Sequence, residues 1–144
     1  MERLRGGGDS LFKAEKWFVA QEPLLTGNIR VTHYSSVIPE RTIINEVQIH
    51  LFCSTAFALL TTYIKIFVCT DDNLSLGQIN QQECIINFDM DNLPGLWASY
   101  WAPRDEIYEL QKMILGTNNR IGIDIRVSSQ ADVGVRVAVK RKEP

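Results

Sequence analysis

From Arg120 to Lys140 the chain alternates apolar and polar residues almost without a break, which limits its possible folds more than any other stretch. The run reads Ile121-Gly122-Ile123-Asp124-Ile125-Arg126-Val127, then Ser128-Ser129-Gln130-Ala131-Asp132, then Val133-Gly134-Val135-Arg136-Val137-Ala138-Val139-Lys140. Successive side chains on a strand point to opposite faces. Ile121, Ile123, Ile125 and Val127 therefore share one face of a first strand, and Val135, Val137 and Val139 one face of a second. Asp124, Arg126, Ser128, Arg136 and Lys140 fall on the opposite faces. The polar residues between predict a short loop, hence a hairpin with one buried and one wet face.

Similar patterning runs through the rest of the chain. Three consecutive glycines, Gly6 to Gly8, mark residues 1–10 as a flexible lead. Residues 11–20 fit either a strand or a short helix, and Pro23 and Gly27 punctuate the connection that follows. Residues 28–35 alternate as a strand. Residues 42–53 form a longer one, with Ile43, Val47, Ile49, Leu51 and Cys53 facing in and Glu46, Gln48 and His50 facing out. A turn at Ser54-Thr55-Ala56 leads into a strand over 57–69. If these two strands formed a hairpin, Cys53 at the turn and Cys69 near the far end would stand too far apart for a disulfide. A polar loop over 70–82, a strand over 83–88, an acidic turn and an aromatic strand over 96–102 come next. Residues 105–115 fit a helix capped by Asp105 and stopped by Gly116, although strand alternation fits them almost as well. The expected fold is all-β: a two-sheet antiparallel β-sandwich, jelly-roll-like, of seven to nine short strands with at most one or two short helices. It would occupy residues 11–144 as one domain.

The chain has 144 residues, enough for one core without staples. Residues 51–68 carry a single charge, Lys65, and approach the length of a membrane span. Their β-branched and aromatic alternation favours central strands instead, so no transmembrane segment is expected. The first residues lack the apolar core of a signal peptide. Three cysteines without CxxC spacing read as reduced thiols, consistent with cytoplasm or nucleus. A formal net charge of −2 and the lack of a long basic arm make generic nucleic-acid packaging a weak reading.

Catalytic signals are sparse. His33 and His50 are the only histidines, and neither lies in a nucleophile or metal motif. A Cys53–His50 or Cys53–His33 pair is the sole nucleophilic arrangement the sequence offers. Asp71 and Asp72 end one strand; Asp89 and Asp91 end another. Acidic loops at one end of a sandwich could bind calcium, but Asp is also a standard turn residue and the EF-hand ligand set is incomplete. No cofactor is expected. Trp97 and Trp101 share a strand face with Tyr100 opposite, which serves either a core or a contact surface, or more weakly a sugar-stacking face. Arg126, Arg136 and Lys140 line the outer row of the terminal strands, as a solvated edge or a contact stripe. Its mixed charge, with Asp124, favours a protein partner.

The loose lead, the long apolar strands over 42–69 and the terminal strands over 120–128 and 133–140 together resemble the small single jelly-roll structural proteins of viruses. The missing basic arm departs from genome-packaging coats. The resemblance implies a minor capsid, matrix or movement type of protein, non-enzymatic and homo-oligomeric, binding other structural proteins in a virion or in host cytoplasm or nucleus. Trp97, Tyr100, Trp101, Arg126, Arg136 and Lys140 are then the expected partner-binding residues. A calcium- or carbohydrate-binding module is the alternative, and a hydrolase built on His50 and Cys53 a third reading.

Overall fold

The terminal alternation makes one strand, not two. In the computed structural model, which describes residues 14–55, 60–82, 86–91, 97–114 and 117–143, strand β6 runs unbroken from Arg120 to Glu143. The other strands are β1 (Ala14–Tyr34), β2 (Ile43–Cys53), β3 (Leu60–Cys69), β4 (Ile86–Asp91) and β5 (Trp97–Trp101). Two short helices complete the fold, α1 (Leu76–Gln81) and α2 (Arg104–Lys112). The lead over 1–10, Cys84, the turn after Asp91, the helix stop at Gly116 and the expected strand starts at 57–59 and 83–85 lie outside the described residues. So does the Ala56 end of the Ser54-Thr55-Ala56 turn.

All six strands join one antiparallel sheet. Its order is β4-β3-β6-β2-β5, with β1 on the other edge of β6. The expected hairpin between β2 and β3 does not form. Both strands pair instead with β6, β3 along Arg120–Ser129 and β2 along Val133–Lys142. The polar residues read as a loop sit where one neighbour ends and the next begins. There β6 loses its partner on that edge, and Ser129 meets its own needs by bonding to the carbonyl and amide of Ala131. The other edge stays laddered by β1, whose bulges between Glu22 and Gly27 absorb the bend. Pro23 is tolerated because β1 is an edge strand. The expected break at Pro23 and Gly27 is therefore a kink, and the described residues form six strands, two of them very long, where seven to nine short ones were expected.

The same sheet face is buried in both halves. Ile121, Ile123, Ile125 and Val127 join Leu60, Ile64 and Ile66 in one half; Val133, Val135, Val137 and Val139 join Val47, Ile49 and Leu51 in the other. All belong to a single hydrophobic cluster. A flat sheet would leave both rows open to water, so the sheet folds over and its two halves close on each other as the layers of a sandwich. One inward expectation moves. A bulge between Ile44 and Glu46 shifts the parity at the start of β2, so Ile43 is exposed and Ile44 buried.

Both helices follow local rules. Residues 70–82, read as loop, contain α1, announced by a Ser75–Gln78 capping box in which each side chain bonds the other's backbone amide. The expected helix over 105–115 is α2, capped by Pro103 without a side-chain bond. Asp105 instead sits in the first turn, where its charge complements the helix dipole. Leu110 anchors α2 in the core. No helix among the described residues is long and apolar enough to cross a membrane. The apolar run over 51–68 supplies the end of β2 and most of β3. Cys53 and Cys69 are both free and buried. They flank Val133 and Arg120 on β6, about 43 Å apart along the strand at 3.3 Å per residue.

Candidate partner-binding face

Strand register assembles one surface from four strands. On the outer face of the β5-β2-β6-β1 half, cross-strand rows run Trp97–Phe52–Gly134, Ser99–His50–Arg136–Gln21, Trp101–Gln48–Ala138–Val19 and Glu46–Lys140–Trp17. Trp97 is 64% exposed, Trp101 55%, Phe52 53% and Trp17 44%. The three tryptophans are all the tryptophan in the chain, and none is in the core. At roughly 200 Å² per ring, about 400 Å² of aromatic surface faces water, the size of the largest apolar patch on a typical monomer, which is often functional.

Polar groups between the rings are held in place. His50 Nδ1 bonds the Ser99 hydroxyl at 2.8 Å and Nε2 bonds Gln48 Oε1 at 3.1 Å, while its ring meets Trp101 edge-on at 5.4 Å. Burial, with the neighbouring Arg136 charge, holds the His50 pKa below its ordinary value. Gln48 also donates to Glu46. Lys140 pairs with Glu15 at 3.3 Å and lies 5.6 Å from the centre of the Trp17 ring. A groove of about 430 Å³ opens at one margin, between Glu22, Leu24, Phe52, Asp132 and Arg136.

Of the six expected partner-binding residues, this face gathers Trp97, Trp101, Arg136 and Lys140. Tyr100 points the other way. Half-buried against the core, it donates its hydroxyl to Glu106 at 2.6 Å, and that bond, with burial, pushes its pKa up to about 12. Arg126 lies on the other half, ten residues and roughly 33 Å along β6 from Arg136. Phe52, Trp17 and Val19 were missed as surface residues. The signal for Phe52 was present, since it shares strand parity with the outward Gln48 and His50. Trp17 and Val19 needed the full length of β1.

The other candidate sites are dispersed. Asp71 and Asp72 are exposed beyond the Cys69 end of β3, whereas Asp89 and Asp91 pair in register with Tyr63 and Thr61 toward its other end. Some 20 Å of strand separates Tyr63 from Cys69, so one ion cannot use both pairs. Among the described residues no group of three or more His, Cys, Asp or Glu is placed to hold a metal. His50 and Cys53 face opposite sides of β2, which removes that nucleophilic pair. His33 instead bonds Glu22 at 2.7 Å. Burial pushes the Cys69 thiol up to about 11.

No protein-family model matches this chain, and no curated protein matches it in sequence. Among solved structures it is similar over 100% of its length to a chain of turnip yellow mosaic virus, covering 86% of that chain, at 9% identity and a TM-score of 0.38. It is similar over 90% of its length to VP2 of infectious bursal disease virus in a subviral particle, covering 33% of that chain, at 12% identity and a TM-score of 0.40. The coat protein of Tobacco streak virus is similar over 92% of the chain and 90% of its own length, at 8% identity and a TM-score of 0.31.

Proposed function

We propose that this chain is a non-enzymatic structural subunit that works by self-association, its aromatic outer sheet face seated on the same face of a second copy. The observation that carries this is the exposure of Trp97, Trp101, Phe52 and Trp17 on one sheet face. Tryptophans dominate interface hot spots, and the exposed rings supply about half of what one partner gives to a standard interface of about 800 Å² per side. Charges on the face are mixed: Glu15 and Glu46 against Arg136 and Lys140. A two-fold pairing can set the cations of one copy against the carboxylates of the other, which a polyanion could not match. Such a subunit fits the viral capsid, matrix or movement proteins that the strand pattern resembles, with a virion or host cytoplasm or nucleus as its place.

Light scattering after size exclusion, across a range of concentrations, tests the proposal. A defined oligomer is expected, falling to monomer when Trp97→Ala and Trp101→Ala are combined. A wild-type chain that stays monomeric at high concentration overturns it.

One observation favours a second reading. Trp97 and Trp101 stand four residues apart on one strand face, about 13 Å, with Ser99 and His50 between them. That is a platform a sugar chain can stack on, and binding to a glycan panel by the monomer would select it.

A further inference from the structure

The outer face of the other half carries a second arrangement that owes nothing to the aromatic one. Arg30 of β1 and Arg126 of β6 stand directly opposite each other, and Tyr63 of β3 stands opposite Arg126 on the other side. Like charges in that position repel. One carboxylate holds them together. Asp124, its side chain wholly buried, accepts from Arg30 Nε at 3.2 Å, from Thr32 Oγ1 at 3.0 Å and from Arg126 Nε at 3.2 Å, and lies 3.1 Å from a terminal amine of Arg30. Lys65, opposite Asp124 on β3, gives its ammonium to the Ile79 carbonyl at 3.4 Å. Two arginines thus share one buried anion.

The surplus charge has a direction. Arg30 also donates to Asn80 Oδ1 at 2.9 Å through the terminal amine that faces Asp124, so that amine and Nε are both engaged. Arg126 bonds only through Nε, and its two terminal amines have no partner among the described residues. They border a groove of about 320 Å³ whose walls include Asn28, Arg30, Thr61, Tyr63 and Ser128. Tyr63 is among the exposed large side chains, so its ring is available there.

We propose that this groove binds a nucleotide, the phosphate on the terminal amines of Arg126 and the base against the Tyr63 ring. A guanidinium presents paired N–H donors in the geometry of phosphate oxygens, which a lysine could not. Stacking on a tyrosine serves any base, and Asn28, Thr61 and Ser128 offer hydrogen bonds to the sugar. The volume lies at the small end of ligand sites, as a single nucleotide requires. A free mononucleotide and one residue of a single-stranded nucleic acid share this chemistry.

Amide-resolved NMR titration of the full chain tests the site with uridine monophosphate, uridine, inorganic phosphate and a short oligouridine. Uridine monophosphate is expected to shift residues 28–30, 61–65 and 124–128, binding about tenfold or more tighter than uridine or phosphate alone. Arg126→Gln leaves Arg30 and Thr32 on Asp124 and should weaken the nucleotide about tenfold. Tyr63→Leu, at an exposed position, should weaken the nucleotide several-fold and leave phosphate binding as it was. An oligouridine that binds more tightly than the monophosphate identifies a nucleic-acid strand as the source; equal binding identifies the free nucleotide. Three results overturn the proposal: no shifts at millimolar nucleotide, shifts elsewhere, or phosphate or uridine alone binding as well as the nucleotide.

Discussion

The two halves of the sheet share β1 and β6 and one core, yet their outer faces are built on opposite principles. On the β4-β3-β6-β1 half, a buried carboxylate gathers two arginines and a threonine, and α1 lays Ile79 over Phe67 as a small second core. On the β5-β2-β6-β1 half, aromatic rings stand in water with nothing laid over them among the described residues. The first face is partly covered by its own chain, and its polar network is part of the fold, with the Arg126–Tyr63 groove open beside it. The second carries its large apolar side chains exposed. The contrast shows that an outward row is not by itself a surface: Asp124 and Arg136 occupy equivalent outward positions on one strand, and only one of them is exposed to any extent.

Breaking the carboxylate network of the first face should cost the fold. Asp124→Ala strands Arg30 and Arg126 without their shared carboxylate and is expected to lower stability by about 3 kcal/mol, partial exposure of both arginines keeping it at the low end of the range for buried pairs. Chemical denaturation reads this directly; a loss under about 1 kcal/mol would mean that the network contributes little. The two glycines of β6 sharpen the same comparison. A β-carbon at Gly122 would come within 2.3 Å of the Phe67 ring, whereas at Gly134 it would meet the Pro23 carbonyl at 3.2 Å. Gly122→Ala should therefore cost about 2 kcal/mol and Gly134→Ala under about 1, in paired melts.

On the open face the order reverses. Trp97→Ala with Trp101→Ala should change unfolding free energy by no more than about 0.5 kcal/mol each while abolishing self-association. A large loss of stability would make those rings part of the core after all. The smallest effect is one of pH. His50 has a folded pKa below its ordinary 6.5, so its neutral form favours the folded face; that contribution is complete above pH 6.5 and disappears as pH falls through the lower folded value. The groups facing it are Ser99 and Trp101 on β5, Gln48 on its own strand and Arg136 on β6, which is the only charge among them. Stability should decline as pH drops below 6.5, and His50→Gln should flatten the profile in chemical denaturation.

Period-two alternation carried most of the fold, since it marks faces without reference to partners. It assigned the inner rows of β2 and β6 correctly apart from the bulge at Ile44. It could not tell a hairpin from a strand that changes neighbours, because polar residues at 128–132 suit both. Nor could it see that Asp124 is covered, since Arg30 and Asn80 come from distant parts of the chain. Trp97 and Trp101 were legible as a pair. Their joining with Phe52 and Trp17 in one patch depends on the register of three ladders, which no single segment encodes.

The length of β6 also sets an order of events. β1 pairs with no other strand, and without β6 the remaining ladders, β2–β5 and β3–β4, are two-stranded ribbons too small to hold in water. β6 follows every other described strand in the chain, so a ribosome releases it after them, and the distant pairings it makes are slow to form. The aromatic face spans β5, β2, β6 and β1 and does not exist until that strand is in place. A growing chain therefore cannot present that face, and the contact proposed between copies can form only once each sheet is complete.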